Sequence, residues 1–216
     1  MQLRLDNDAA SAALLTLSDL PAGWTSTQRG ASSSDSPEEK AAADKFASCL
    51  GVNPAMFDDS APADTTKAKT DKFKGAPNLD VEQTVNVEAS KSDVSDGLNA
   101  LSKPAAAGCF QTFFRAVAEY GLAHPDPGKE LPKGFTVGDV TVEALNLKGG
   151  AAGIAAFRAT IPITVQKVTV KLVSDSVFTG TGRTETTLTF DSINDSFPDA
   201  LEKQLVDIAV GRLPDL

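Results

Sequence analysis

Histidine is almost missing from this chain of 216 residues: there is one, and cysteine (two), methionine (two), tryptophan (one) and tyrosine (one) are nearly as scarce. One imidazole and two thiols cannot by themselves assemble a structural zinc site. The acidic groupings Asp58-Asp59 and Asp191, Asn194 and Asp195 do not match the twelve-residue calcium loop. His124 stands in Ala-His-Pro-Asp-Pro-Gly, just past a helical stretch and inside a turn, where a general base would lack an enclosed site and an oriented partner. No nucleophile elbow of the G-x-S-x-G form occurs. Gly180-Thr181-Gly182-Arg183 lacks the third glycine of a dinucleotide fingerprint and joins two strand-like runs, so it reads as a hairpin turn. No segment approaches the roughly eighteen apolar residues of a membrane-spanning helix. Basic residues are outnumbered, 20 against 29, and the net charge of −9 repels phosphate backbones and anionic lipid surfaces, which sets nucleic acid aside as a partner. The expectation is a protein with no catalytic residues, no metal site and no cofactor.

The two cysteines are the most informative residues present. Cys49 and Cys109 each fall on the apolar side of a candidate helix, and no third cysteine competes. One reading is a disulfide stapling the two helices; the other is a pair of buried thiols acting as small hydrophobes. A bridge would close a loop of about sixty residues, for which chain entropy gives on the order of 4 kcal/mol. It would also place the protein in an oxidising compartment, secreted or at the cell envelope. The first residues, Met1-Gln2-Leu3-Arg4-Leu5-Asp6, do not read as a signal peptide. Export would therefore require a leader upstream, and membrane attachment an upstream lipid-bearing cysteine; a chain starting at Met1 in the cytoplasm would keep its thiols reduced.

Hydropathy patterning is helical first and strand-rich later, within one expected domain spanning 1–216. Asp8 to Leu17 has helical spacing (Ala10, Ala13, Leu14, Leu17), with Asn7 or Asp8 as N-cap and Pro21 and Gly23 as stop. Trp24 follows and reads as a ring packed on the domain body, with ligand stacking as the alternative. Residues 25–35 and 58–78 read as exposed, flexible segments. Ser36-Pro37-Glu38-Glu39 has the form of a capping box and opens a helix to Leu50, with Ala42, Phe46, Cys49 and Leu50 on one stripe. Val81 to Ala89 alternates as a half-buried strand. A short helix opened by Ser92 or Asp93 contains Val94, Leu98 and Leu101. The next, from about Ala105 to Leu122, carries Cys109, Phe113, Val117 and Tyr120, flanked by Phe110 and Phe114. Strand patterns then follow at 140–144, 157–164, 168–172 and 184–190. Pro162 marks an edge or a bulge. Arg158 and Arg183 project from polar strand faces, as solvated groups or as contacts to an anionic ligand. Pro198 opens a final amphipathic helix through Leu201, Leu205 and Ile208. The fold class expected is α+β: an antiparallel sheet of about five strands flanked by N-terminal helices and a C-terminal helix.

The run Leu14-Leu15-Thr16-Leu17-Ser18-Asp19-Leu20-Pro21-Ala22-Gly23-Trp24 resembles the opening of secreted sensor-like domains and lipoproteins of the actinobacterial cell envelope. The order of elements, with a cysteine on a later helix, a strand series and a closing helix near Arg212, is similar to the extracellular sensor domain of mycobacterial serine/threonine kinases. Those domains often carry two disulfides, where this chain has one possible pair. The resemblance implies a non-enzymatic role and a ligand-binding cleft, and it transfers no binding residue. The expected function is ligand binding or sensing outside the cytoplasm, with an unknown small molecule as partner and a cleft between the sheet and the cysteine-bearing helices. The competing reading is an interaction module for another envelope protein, marked by a solid core and an exposed apolar patch. A buried carboxylate pair in a cleft would instead point to an enzyme.

Overall fold

The computed structural model describes residues 2–28, 37–52, 65–124, 134–147 and 153–216. Strong period-two alternation builds the sheet centre: β4 (Leu79–Val87) buries Val81, Gln83, Val85 and Val87 on one face, and β9 (Thr184–Ile193) buries Thr184, Thr186, Leu188, Phe190 and Ser192. These strands pair antiparallel in register, Val81 opposite Phe190 and Gln83 opposite Leu188. The longest ladder joins β7 (Ile154–Val165) to β8 (Val168–Thr181) through a two-residue turn. Gln166 and Lys167 both take positive φ there, 49° and 73°. The strand expected over 168–172 runs on to Thr181.

Two ribbons at the margins are each split into short pieces, which is why nine strands are present among the described residues where about five were expected. β2 (Thr66–Lys69) and β3 (Lys72–Gly75) lie end to end along one edge of β4, and β1 (Thr25–Thr27) adds outside β3. β5 (Phe135–Val137) and β6 (Thr141–Ala144) do the same along β7. Parts of the segments expected to be flexible are thus strands: their polar sequences have little burial signal of their own and are held by ladder bonds to a strong neighbour. Residues 29–36 and 53–64, including Ser36 and Asp58-Asp59, lie outside the described residues, as does the Glu39 side chain. Pro162 sits where β5 and β6 leave a gap. Its carbonyl accepts from the Gly138 N–H at 2.7 Å, so its missing donor points to the same outer side and the ladder to β8 stays whole.

Helices cover both faces. α2 (Pro37–Leu50), α3 (Lys91–Leu101) and α4 (Ala106–Ala123) lie on one; α5 (Asp199–Arg212) and α1 (Gln2–Ala12) cover the other. α3 is capped by Ser90 rather than Ser92 or Asp93: its hydroxyl accepts from the Asp93 N–H, and Asp93 accepts from the Ser90 N–H. It approaches β8 closely because Gly180 has no side chain; a Cβ there would lie 2.6 Å from Val94.

Under α2 and α4 the core is phenylalanine. Phe110 meets Phe46, Phe157 and Phe178 with ring centroids 4.6, 4.5 and 5.6 Å apart. Cys49 and Cys109 are bonded here, with Cα atoms 5.8 Å apart. Cys109 is buried, but Cys49 is exposed: the buried stripe of α2 is Ala42, Phe46, Ala47 and Leu50, so the bridge runs over the rim of the helix pair.

α1 starts earlier than expected and ends at Ala12, with a separate 3₁₀ turn at Leu17–Asp19. Asp6 sits inside the helix rather than before a cap, because both its oxygens accept from Arg183 Nη2 at 3.0 Å. The chain after α1 is held by Gln83, whose Oε1 accepts from the Leu15 N–H at 2.6 Å. Trp24 packs on the body of the fold, its ring 6.3 Å from Phe197 and over Gly75, where any side chain would collide with the indole.

Candidate functional site

Arg158 on β7 and Asp175 on β8 are directly opposite in the antiparallel ladder, so their side chains rise side by side on the face that α5 covers. A carboxylate on a central strand beneath a helix needs a partner, and the guanidinium provides a two-pronged one. Arg158 Nε donates to Asp175 Oδ1 and Nη2 to Oδ2, both at 2.7 Å. Asp175 is wholly buried. The bond to Asp175 holds the Arg158 guanidinium above its ordinary pKa.

α5 places a second carboxyl on this pair. Pro198 starts the helix, and the first-turn residue Glu202 points inward while Leu205, Val206 and Ala209 seat the helix on the sheet. Glu202 is 2% exposed, and its Oε1 has no hydrogen-bond partner among the described residues. Burial, then the negative charge of Asp175, pushes the Glu202 pKa up to about 7. Its contact with Asp175 is a carboxyl–carboxylate hydrogen bond, which exists only while Glu202 keeps its proton.

These groups lie at a cleft of about 450 Å³ between α5, β7 and the stretch after β6. Leu145, Leu147, Ile154 and Val206 supply apolar wall; Asn146, Arg158, Glu202, Asp199, Lys203 and Asp207 supply the polar groups. Lys203 is tied to Asp207 at 2.5 Å. A cleft of this volume, with an apolar wall on one part and charged groups on the rest, is within the size range of small-molecule sites. A second, smaller cleft of about 240 Å³ opens under α3, lined by Lys67, Lys69, Asn86, Glu185 and Thr187 beside Leu98 and Phe178. Asn86 Nδ2 donates to Glu185 Oε1 at 2.8 Å, and burial raises the Glu185 pKa.

The larger cleft is on the face opposite the one expected. Between the sheet and the cysteine-bearing helices the described residues form the phenylalanine cluster, and the cleft described on that face is the smaller one under α3. Neither arginine singled out in the sequence is a solvated group or a free anion contact. Arg158 is committed to Asp175, and Arg183 joins Asp6 and the Glu88 carbonyl. His124 is exposed, stacked on Tyr120 with centroids 4.3 Å apart, and lines neither cleft. Among the described residues no group of three His, Cys, Asp or Glu side chains is placed to hold a metal ion. Asn194 and Asp195 instead make the turn after β9: Asn194 Oδ1 accepts from the Lys171 N–H at 3.0 Å, and the Asp195 carbonyl accepts from Ser192. Asp58-Asp59 cannot be placed, being outside the described residues.

Sequence reasoning missed Asp175 and Glu202. A signal existed for the first: in Val173-Ser174-Asp175-Ser176-Val177 the aspartate shares the face of two buried valines. An inward carboxylate on a long strand calls for a cation on the next strand. Glu202 has no comparable signal, since a first-turn glutamate on a helix is ordinary.

No helix among the described residues is long and apolar enough to cross a membrane. No protein-family model matches this sequence, and no curated protein does. Among solved structures, the extracellular domain of PknH from Mycobacterium tuberculosis is similar over 96% of this chain and 94% of that one, at 10% identity and a TM-score of 0.41. A protein of unknown function from Pseudomonas aeruginosa, PA94, titled a putative regulator, is similar over 62% of this chain and 73% of that one, at 16% identity and a TM-score of 0.23. At these scores both likenesses are coarse, and they carry neither a family nor a function to this chain.

Proposed function

We propose that this chain is a non-enzymatic ligand-binding or sensing domain of an extracytoplasmic, cell-envelope protein, and that its ligand sits in the cleft between α5 and β7. The observation that carries the reading is the cleft itself: apolar walls around a buried carboxyl with an unpartnered oxygen. The Cys49–Cys109 bond supports the compartment, since such bonds persist mainly where the surroundings are oxidising. The large hydrophobic residues that are exposed do not favour an interaction patch instead. Among the described residues, Leu3 and Leu5 lie on α1, which Asp6 and Arg183 tie to the β8–β9 turn, and Leu17 lies on the 3₁₀ turn that Asp19 ties to Arg212 of α5, while Val168 and Ile193 are at the other end of the β8–β9 strands.

The pairing of Asp175 with Glu202 favours a second reading, acid–base chemistry in the same cleft. Against it, both Asp175 oxygens are held by Arg158, and no Ser, Thr, Cys or His lines the cleft among the described residues. The test is a fragment screen read by amide NMR shifts. Hits that move Ile154, Arg158 and Val206, and that vanish when Leu147→Trp at the half-buried wall fills the cleft of a protein whose amide dispersion stays that of the folded state, support the reading. Hits scattered over the surface, or unaffected by Leu147→Trp, refute it.

A further inference from the structure

Among the described residues, Glu202 presents the one buried acceptor at the cleft that lacks a partner. It is 2% exposed, its Oε1 is unpaired, and the Arg158 guanidinium beside it is turned to the two oxygens of Asp175. A buried carboxyl in that state is satisfied by a ligand that brings donors. The charges facing it decide which donor. On its own helix are Asp199, Lys203 and Asp207, the last two paired with each other; from β8 comes Asp175 and from β7 Arg158. With Glu202 ionised that is four carboxylates against two cations. An anion would meet net repulsion, whereas a cation would meet the opposite field and find Leu145, Leu147, Ile154 and Val206 for its apolar part.

We propose that the cleft binds organic ammonium compounds, a protonated amine on an apolar body, with the ammonium N–H groups donating to Glu202 and the apolar part lying against Leu147, Ile154 and Val206. The inference rests on the reading of this cleft as a ligand site and adds the ligand class. It has a consequence in proton balance. Burial and the charge of Asp175 keep the proton on Glu202 below about pH 7, whereas an ammonium beside it favours the ionised carboxylate, so binding in that range displaces the proton to solvent. Below the pKa of about 7 the ligand competes with the proton, and above it there is no competition.

The experiment uses three probes of one shape, hexylammonium, hexanol and hexanoate, titrated into the oxidised protein at about pH 6 and about pH 8 and followed by amide NMR. Hexylammonium is expected to bind with shifts at Ile154, Glu202 and Val206, roughly tenfold tighter at the higher pH, where Glu202 is ionised without the ligand's help. In Glu202→Gln the pH dependence disappears and hexylammonium falls to the affinity of hexanol; the amide dispersion of this variant checks that it is folded. If hexanol and hexylammonium bind alike in the unsubstituted protein, the ammonium assignment is overturned while the cleft remains a ligand site. Hexanoate binding more tightly than hexylammonium overturns it as well. If none of the probes shifts a cleft residue, both the assignment and the reading of the cleft fail.

Discussion

Replacing Glu202 by Gln tests the electrostatics of the cleft through folding stability alone, with no ligand. The folded protein holds the Glu202 proton up to about pH 7, against an ordinary glutamate value of 4.5. Between those limits the folded state binds more protons than the unfolded chain, so the Glu202 contribution to stability falls as pH rises through this window and is flat above it. The whole shift corresponds to about 3 kcal/mol. Because the cleft opens to solvent, screening brings the expected effect to on the order of 1–2 kcal/mol. Gln keeps the shape and can donate to Asp175 as the protonated acid does, so the two proteins are expected to be within about 0.5 kcal/mol near pH 5. Above about pH 8 the variant is expected to be the more stable, by on the order of 1–2 kcal/mol. Urea unfolding of both proteins across this range gives the difference curve directly. Asp191 and Glu185 are also raised by burial, and Asp19 is lowered to about 2 by its bond to Arg212, but these act equally in both proteins and cancel in the difference. A difference that stays constant with pH, or one that grows toward acid, would refute the argument.

Three further outcomes are expected. Reducing the Cys49–Cys109 bond, which closes a 60-residue separation, should cost on the order of 4 kcal/mol and lower Tm by roughly 10 °C in calorimetry; two free thiols in the intact mass of oxidised protein would remove the basis for the compartment. Arg183→Ala leaves Asp6 buried without its partner and should destabilise by about 3 kcal/mol in urea, while adding Asp6→Ala should restore part of the loss; a double variant worse than the single one would contradict the pairing. Replacing Gln166-Lys167 with Asn-Gly suits a turn whose two residues both have positive φ and should raise stability by about 1 kcal/mol, with the β7–β8 amide shifts otherwise unchanged.

The strong periodic signals were legible. β4 alternates over its whole length, α4 carries apolar groups at helical spacing, and Pro198 marks the start of α5; each encodes locally which side of the element faces water. The cysteine pair was legible too, since two cysteines allow a single intramolecular pairing. The weak strands were not. Thr66–Lys69 and Lys72–Gly75 look like exposed polar chain, and their β conformation depends on the edge of β4 being available for hydrogen bonds. The start of α1 was misplaced for a related reason: Asn7 and Asp8 read as N-caps, and Asp6 ahead of them has a place inside a helix only when Arg183, 177 positions away, is brought to it.

By itself, then, the sequence determined the class of fold, the order of its main elements, the candidate disulfide and the absence of familiar catalytic and metal-binding motifs, because all of these are written in spacing along one element or in counts of residues. Only the tertiary structure decided the site. The Arg158–Asp175 pair depends on the register of β7 against β8, and the place of Glu202 on it depends on how α5 crosses the sheet. Register and crossing are set by packing between segments distant in sequence, so a carboxyl that is unremarkable in its own helix becomes a buried, unpartnered acceptor only when the elements meet.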